Sequence, residues 1–116
     1  MKKNIKLEIE NHLYKEISLI LEAEYTIDKF DNVVYREGGR KRALNKIKSI
    51  LNEYEEEHNI PQKEIRKHLI DAYASMQGNN SKEYIELFYI FDDIEAEEQV
   101  EKDIKEGNIE KYEKDI

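Results

Sequence analysis

Apolar residues in this chain recur at intervals of three and four in four separate stretches. That spacing describes amphipathic helices packed on one another and leaves little room for a sheet. Ile5, Ile9, Leu13, Ile17, Ile20 and Leu21 mark a first helix from about Asn4 to Ala23. The opening "IKLEIE" also alternates, as a short strand would, but the longer helical pattern outweighs it. A second helix runs from about Arg40 to Glu57, where Ala43, Leu44, Ile47, Ile50, Leu51 and Tyr54 fill one arc. Ile65, Leu69, Ala72, Tyr73 and Met76 give the apolar face of a third, and "YIELFYIF" opens a fourth near Lys82.

Local signals punctuate these segments. Pro61 suits a first helical turn, where its missing N–H costs nothing, and Glu64 lies where a carboxylate favours the helix start. Gly78 is a natural stop, and Ser81 can cap the fourth helix. Residues 25–39 read poorly. "YTIDKFDNVVYREGG" could extend the first helix through Ile27 and Phe30, or turn as a hairpin at Asp31-Asn32 before β-branched Val33 and Val34. The expectation here is an irregular connector.

The composition agrees with an all-α, single-domain bundle of about four helices. The chain has 116 residues, with only four glycines and one proline, whereas β-rich domains need many turn residues. Charged residues make up 40% and hydrophobic ones 39%, a balance that suits helices with wide solvated faces. The net charge is −8, and most of it sits after Phe91, where Asp92 to Ile116 carries eleven acidic residues and four lysines. The fourth helix is expected to reach about Glu106. Residues 1–106 then form the helical domain and residues 107–116 an acidic, flexible tail, whose removal should leave the melting midpoint nearly unchanged.

Several function classes recede at this level. The chain has no cysteine, so thiolate chemistry, thiolate metal sites and disulfides are excluded. No apolar run is long enough to span a bilayer, and "MKKNIKLEIEN" has a basic start without the apolar stretch of a signal peptide. A cytoplasmic protein without membrane contact is expected. Histidines and serines lack any elbow or triad context, so no catalytic residue and no cofactor is assigned. Glu55 with His58 makes a single Glu-x-x-His, where a di-iron bundle needs two. Glu64, His68 and Asp71 share a helix face, but local ion pairing accounts for them, and no metal site is assigned. A helix-turn-helix over "IPQKEIRKHLIDAYASMQGNNSKEYIEL" fails on three counts. Arg66 occupies the crossing position that a small residue normally takes, the turn is too long, and the second helix is acidic and aromatic.

Two surfaces remain. In "REGGRKRALNKIKS", Arg40, Lys41 and Arg42 follow two glycines at a helix start, the end that already carries partial positive charge. With Arg36, Lys46 and Lys48 they form a candidate anion or partner site, though the lysine and Ser/Thr spacing of a nucleotide P-loop is absent. The anion could come from a partner, from nucleic acid or from the acidic C-terminal segment itself. Replacing Arg40, Lys41 and Arg42 with glutamate should then slightly stabilise the isolated fold. The second surface is the other face of "YIELFYIF", where Ile85, Tyr89 and Ile90 are candidate interface residues opposite a core face of Tyr84, Leu87, Phe88 and Phe91. The leading expectation is a small non-enzymatic adaptor, regulator or inhibitor that binds a protein partner. The alternatives are a nucleic-acid-associated regulator contacting phosphates through Arg40, Lys41 and Arg42, and an acidic mimic of nucleic acid. The aromatic face would equally serve a homodimer.

Overall fold

The computed structural model describes residues 5–105. Four helices and one small hairpin form the fold. Helix α1 covers residues 5–24 and has three parts: α-helix Ile5–Glu8, a π-helical turn Ile9–Leu13 and α-helix Tyr14–Glu24. Strands β1 (Tyr25–Ile27) and β2 (Val33–Tyr35) follow, then α2 (Gly39–His58), α3 (Gln62–Gln77) and α4 (Lys82–Lys105). The all-α bundle read from the sequence is the observed architecture. The expected tail over residues 107–116 lies outside the described residues.

The core is one layer of contact among the four helices. Ile9, Leu13, Ile17 and Leu21 come from α1, and Ala43, Ile47, Leu51 and Tyr54 from α2. Ile65, Leu69 and Tyr73 come from α3, and Leu87, Ile90, Phe91 and Ile94 from α4. Strict four-residue spacing in α1 would drift around an ideal helix, because each residue turns the chain by about 100°. The π turn, closed by the Tyr14 N–H on the Ile9 carbonyl, rotates less per residue and holds the stripe toward the core.

Helix ends follow local chemistry. Gly78 adopts a positive φ of 86° and its N–H donates to the Ala74 carbonyl, ending α3. The Ser81 hydroxyl accepts the Tyr84 N–H at 3.1 Å, capping α4. Pro61 stands just before α3, with the Glu64 N–H on its carbonyl.

Three sequence expectations change. Residues 25–35 are an ordered hairpin, pairing Tyr25 with Tyr35, Thr26 with Val34 and Ile27 with Val33. The Asp28 carboxylate accepts the N–H groups of Phe30 and Asn32, and Asp31 takes φ 65°, so the turn is built by a side chain that competes with helix. Ile90 is fully buried in the core and leaves the candidate interface, while Phe88, expected inside, is 45% exposed. Met76 is also exposed. Helix α4 is apolar nearly all round at its start, so periodicity could not choose which side its neighbours would cover.

Candidate functional site

The cationic cluster sits where the hairpin returns the chain to the end of α1. The Arg36 N–H donates to the Glu24 carbonyl at 2.8 Å, continuing the hairpin ladder past Tyr35. Gly38 then turns with φ 69°, and α2 starts at Gly39, packed directly on Glu24. A Cβ at Gly39 would lie 2.8 Å from the Glu24 carbonyl oxygen. Only glycine permits that approach, and the approach sets the last residue of α1 against the first turn of α2.

This contact explains the misplaced cations. The Glu24 side chain is only 7% exposed, and Arg42 grips it with Nε 3.0 Å from Oε2 and Nη2 2.9 Å from Oε1. Lys46 stands 4.0 Å from the same carboxylate. Arg42 Nη1 also donates to the Glu37 carbonyl. The Arg42 hydrogen bonds hold the Glu24 carboxyl below its ordinary value despite the opposing pull of burial, and Glu24 raises Arg42 in turn. A helix start that lacks any acidic residue of its own thus receives a carboxylate from another helix.

The remaining cations divide. Arg40 pairs with Asp93 at 2.6 Å and Lys48 with Glu97, both partners lying in the acidic segment on α4. Arg36 Nε donates to the Ala23 carbonyl. Lys41 is exposed to solvent. Of the six candidates that sequence placed in one cluster, Arg42 and Lys46 share Glu24, Arg40, Lys48 and Arg36 each meet a different group, and Lys41 faces solvent. Sequence reasoning missed Glu24, which carries no local signal because its partner is eighteen residues away. The acidic tail that sequence raised as an internal occupant lies outside the described residues; the carboxylates that meet Arg40 and Lys48 are Asp93 and Glu97 of α4 itself.

Neighbouring α4 joins the hairpin through two polar links. Tyr35 donates its hydroxyl to Glu86 at 2.8 Å, and Lys82 pairs with Asp31 at 3.2 Å. Burial and that carboxylate push the Tyr35 hydroxyl upward, and burial, with Glu83 and other carboxylates nearby, raises Tyr25 to about 12. Lys82, Glu86 and Asp93 thus point along one line toward the hairpin and α2. Ile85 and Tyr89, each three residues beyond Lys82 and Glu86, stand beside that line and are 36% and 54% exposed. Phe88 borders them on the α3 side, where it and Phe91 line a cleft with Lys63 and Lys67.

No protein family, no curated protein and no solved structure matches this chain.

The other sequence candidates have ordinary partners. Glu55 accepts the Gln62 N–H, and His68 lies 3.8 Å from Glu64. Among the described residues no group of three His, Cys, Asp or Glu side chains could hold a metal ion. Arg66 is 93% withdrawn from solvent between α3 and α4, with Nη2 2.9 Å from Glu98 Oε1. A long cation therefore fills the crossing that helix-turn-helix geometry reserves for a small residue. No described helix is long and apolar enough to cross a membrane.

Proposed function

We propose that this chain is a non-enzymatic adaptor, regulator or inhibitor that binds a protein partner through the outer face of α4. The observation that carries this reading is the exposure of Ile85, Phe88 and Tyr89 on a helix whose opposite side is fully packed. Bulky apolar and aromatic side chains of this kind form the centres of protein interfaces. Farther along the same helix, Asp92 and Glu95 are exposed. The fitting partner surface is therefore apolar at its centre with a basic rim. The absence of cysteine supports work in a reducing compartment such as the cytoplasm.

The internal ion pairs weigh against the nucleic-acid alternative. Phosphates reaching Arg40 or Arg42 would have to displace Asp93 or Glu24. The test is a pull-down from the native cell after nuclease treatment, comparing wild type with Ile85→Glu/Tyr89→Glu. Partners should survive nuclease and disappear with the double variant, while circular dichroism stays helical. Partners lost to nuclease but retained by the double variant would move the function to the cationic cluster, and a partner that is a second copy of this chain would make it a homodimer face.

A further inference from the structure

A cleft of about 390 Å³ lies on another part of the molecule, between the π turn of α1 and the C-terminal end of α2. Glu8, Glu16, Glu53 and Glu57 line it together with His12 and His58, and among the described residues no lysine or arginine does. The helix end adds its own partial negative charge. An acidic rim alone would mean little, because surface carboxylates are usually solvated. Here two buried polar atoms give it meaning.

Tyr54 is nine-tenths buried, and its hydroxyl has no hydrogen-bond partner among the described residues. The same is true of Glu8 Oε2, a buried atom on a residue whose other oxygen stands 3.6 Å from His58 Nε2. Buried polar atoms ordinarily find partners, and leaving one unpaired costs about 1–3 kcal/mol. Tyr54 and Glu8 both line the cleft, where the Tyr54 ring centroid lies 4.1 Å from that of His58 and His58 Nε2 stands 3.6 Å from Glu8. Burial first, then the charges of Glu8, Glu57 and Glu16, raise the Tyr54 hydroxyl to about 12. It therefore stays protonated at neutral pH, and its oxygen lone pairs are free to accept. Leu13 and Ile50 supply an apolar wall beside these acceptors.

We infer that this cleft binds an organic cation bearing N–H donors on an aliphatic stem, an alkylammonium or guanidinium group. The cation would donate to Glu8 Oε2 and Tyr54 Oη while its methylenes lie on Leu13 and Ile50. A bare metal ion fits less well, since no three ligating side chains in the described residues converge on a point. The π turn contributes directly, because it places Glu8 and Leu13 at the two ends of one widened turn. Two sources share this chemistry: a free polyamine, and a lysine or arginine side chain on another protein.

The test uses the full chain, followed by NMR at the Tyr54 and His58 rings during titration with spermidine, n-butylammonium and a capped arginine peptide. Tetramethylammonium, which has the charge but no N–H donor, is the control. Saturable shifts are expected with at least one donor-bearing cation and not with the control. Tyr54→Phe removes only the unpartnered hydroxyl, and Glu8→Gln only the charge. Each should weaken binding roughly tenfold, the worth of one charge-assisted hydrogen bond. Glu22→Gln, on an exposed site near the far end of α1, should leave it unchanged. Binding of spermidine but not the peptide identifies a free polyamine, and the reverse identifies a protein side chain. The inference is overturned if no donor-bearing cation shifts these rings, if tetramethylammonium binds equally, or if both cleft variants bind as wild type. It also fails if Zn²⁺ shifts His12 and His58 while the amines do not.

Discussion

The two ends of α2 pose the same electrostatic problem and receive different answers. At the start, Arg40, Lys41 and Arg42 add positive charge to a helix terminus that is already positive. At the finish, Glu55, Glu56 and Glu57 add negative charge to one that is already negative, with only His58 of the opposite tendency. The first end is answered inside the fold: Glu24 reaches across from α1 to Arg42, and Asp93 from α4 to Arg40. Among the described residues the second end has no such counterion lining its cleft, and two buried acceptors there are unpaired. Misplaced charge is thus no sure sign of a ligand. The sign to look for is misplaced charge together with buried polar atoms that the fold does not satisfy.

Reversing the cationic end gives the strongest challenge to this contrast. Arg40→Glu/Lys41→Glu/Arg42→Glu should lower the thermal midpoint more than any other change described below. The sequence-level argument from the helix dipole expects slight stabilisation instead. The Glu24–Arg42 pair reverses that sign, because the variant sets a carboxylate against the buried Glu24 where a guanidinium was. An unchanged or raised midpoint in thermal unfolding would return the cluster to the status of a free surface.

Gly39→Ala tests the close approach that makes the pair. Its Cβ would meet the Glu24 carbonyl at 2.8 Å, and backbone must move to accommodate it. A loss of about 1–3 kcal/mol in urea unfolding is expected, as for overpacked interiors. A neutral result would mean that the ends of α1 and α2 can separate freely.

Acid should dissolve the same end more gently, since protonated Glu24 can still hydrogen-bond. Its carboxyl is held below the ordinary 4.5 in the folded chain, so the native state binds the proton less readily than the unfolded one. The stabilisation is complete above that ordinary value and is lost as pH falls through the lowered one. Stability measured from pH 6 downward should decline below about 4.5, with part of that decline missing in Glu24→Gln. Identical pH profiles for the two chains would remove Glu24 from the account.

At the opposite end the sign flips. Glu57→Lys should stabilise by about 0.3–1 kcal/mol, because a cation suits a helix C-terminus and relieves the acidic cleft. A destabilised variant would show that Glu57 already has a counterion in solution. The smallest effect is expected for Lys48→Ala, which breaks a pair whose partners are 37% and 47% exposed. Such pairs contribute about 0–1 kcal/mol and are screened by salt, so any loss should vanish at high ionic strength.

Much of the fold is legible in the sequence, and the legible parts share a cause. Ser81, Pro61 and Gly78 act on backbone within a few residues, so their roles follow from local sterics and hydrogen bonding. The stripes Ile17–Leu21, Ile47–Leu51 and Ile65–Leu69 repeat at helical spacing, which fixes their faces wherever the helices end up. The hairpin was visible only as an alternative. Its decisive group, the Asp28 carboxylate, forms a turn that an extended helix could also have absorbed.

The candidate sites depended far more on tertiary structure. Sequence placed Ile85, Tyr89 and Ile90 on one outer face of α4, and packing kept the first two outside and took Ile90 into the core. It found the cations of α2 but not Glu24, and it passed over Tyr54 as an ordinary core residue. In each case the deciding partner is remote in the chain: eighteen residues separate Glu24 from Arg42. Periodicity determines that a helix has an inside, since burial of its apolar stripe stabilises any packing. Which charges meet, and which polar atoms are left without a partner, is fixed only when several helices close around one another, because a hydrogen bond needs its partner within about 3 Å and salt screens exposed charges beyond roughly 10 Å.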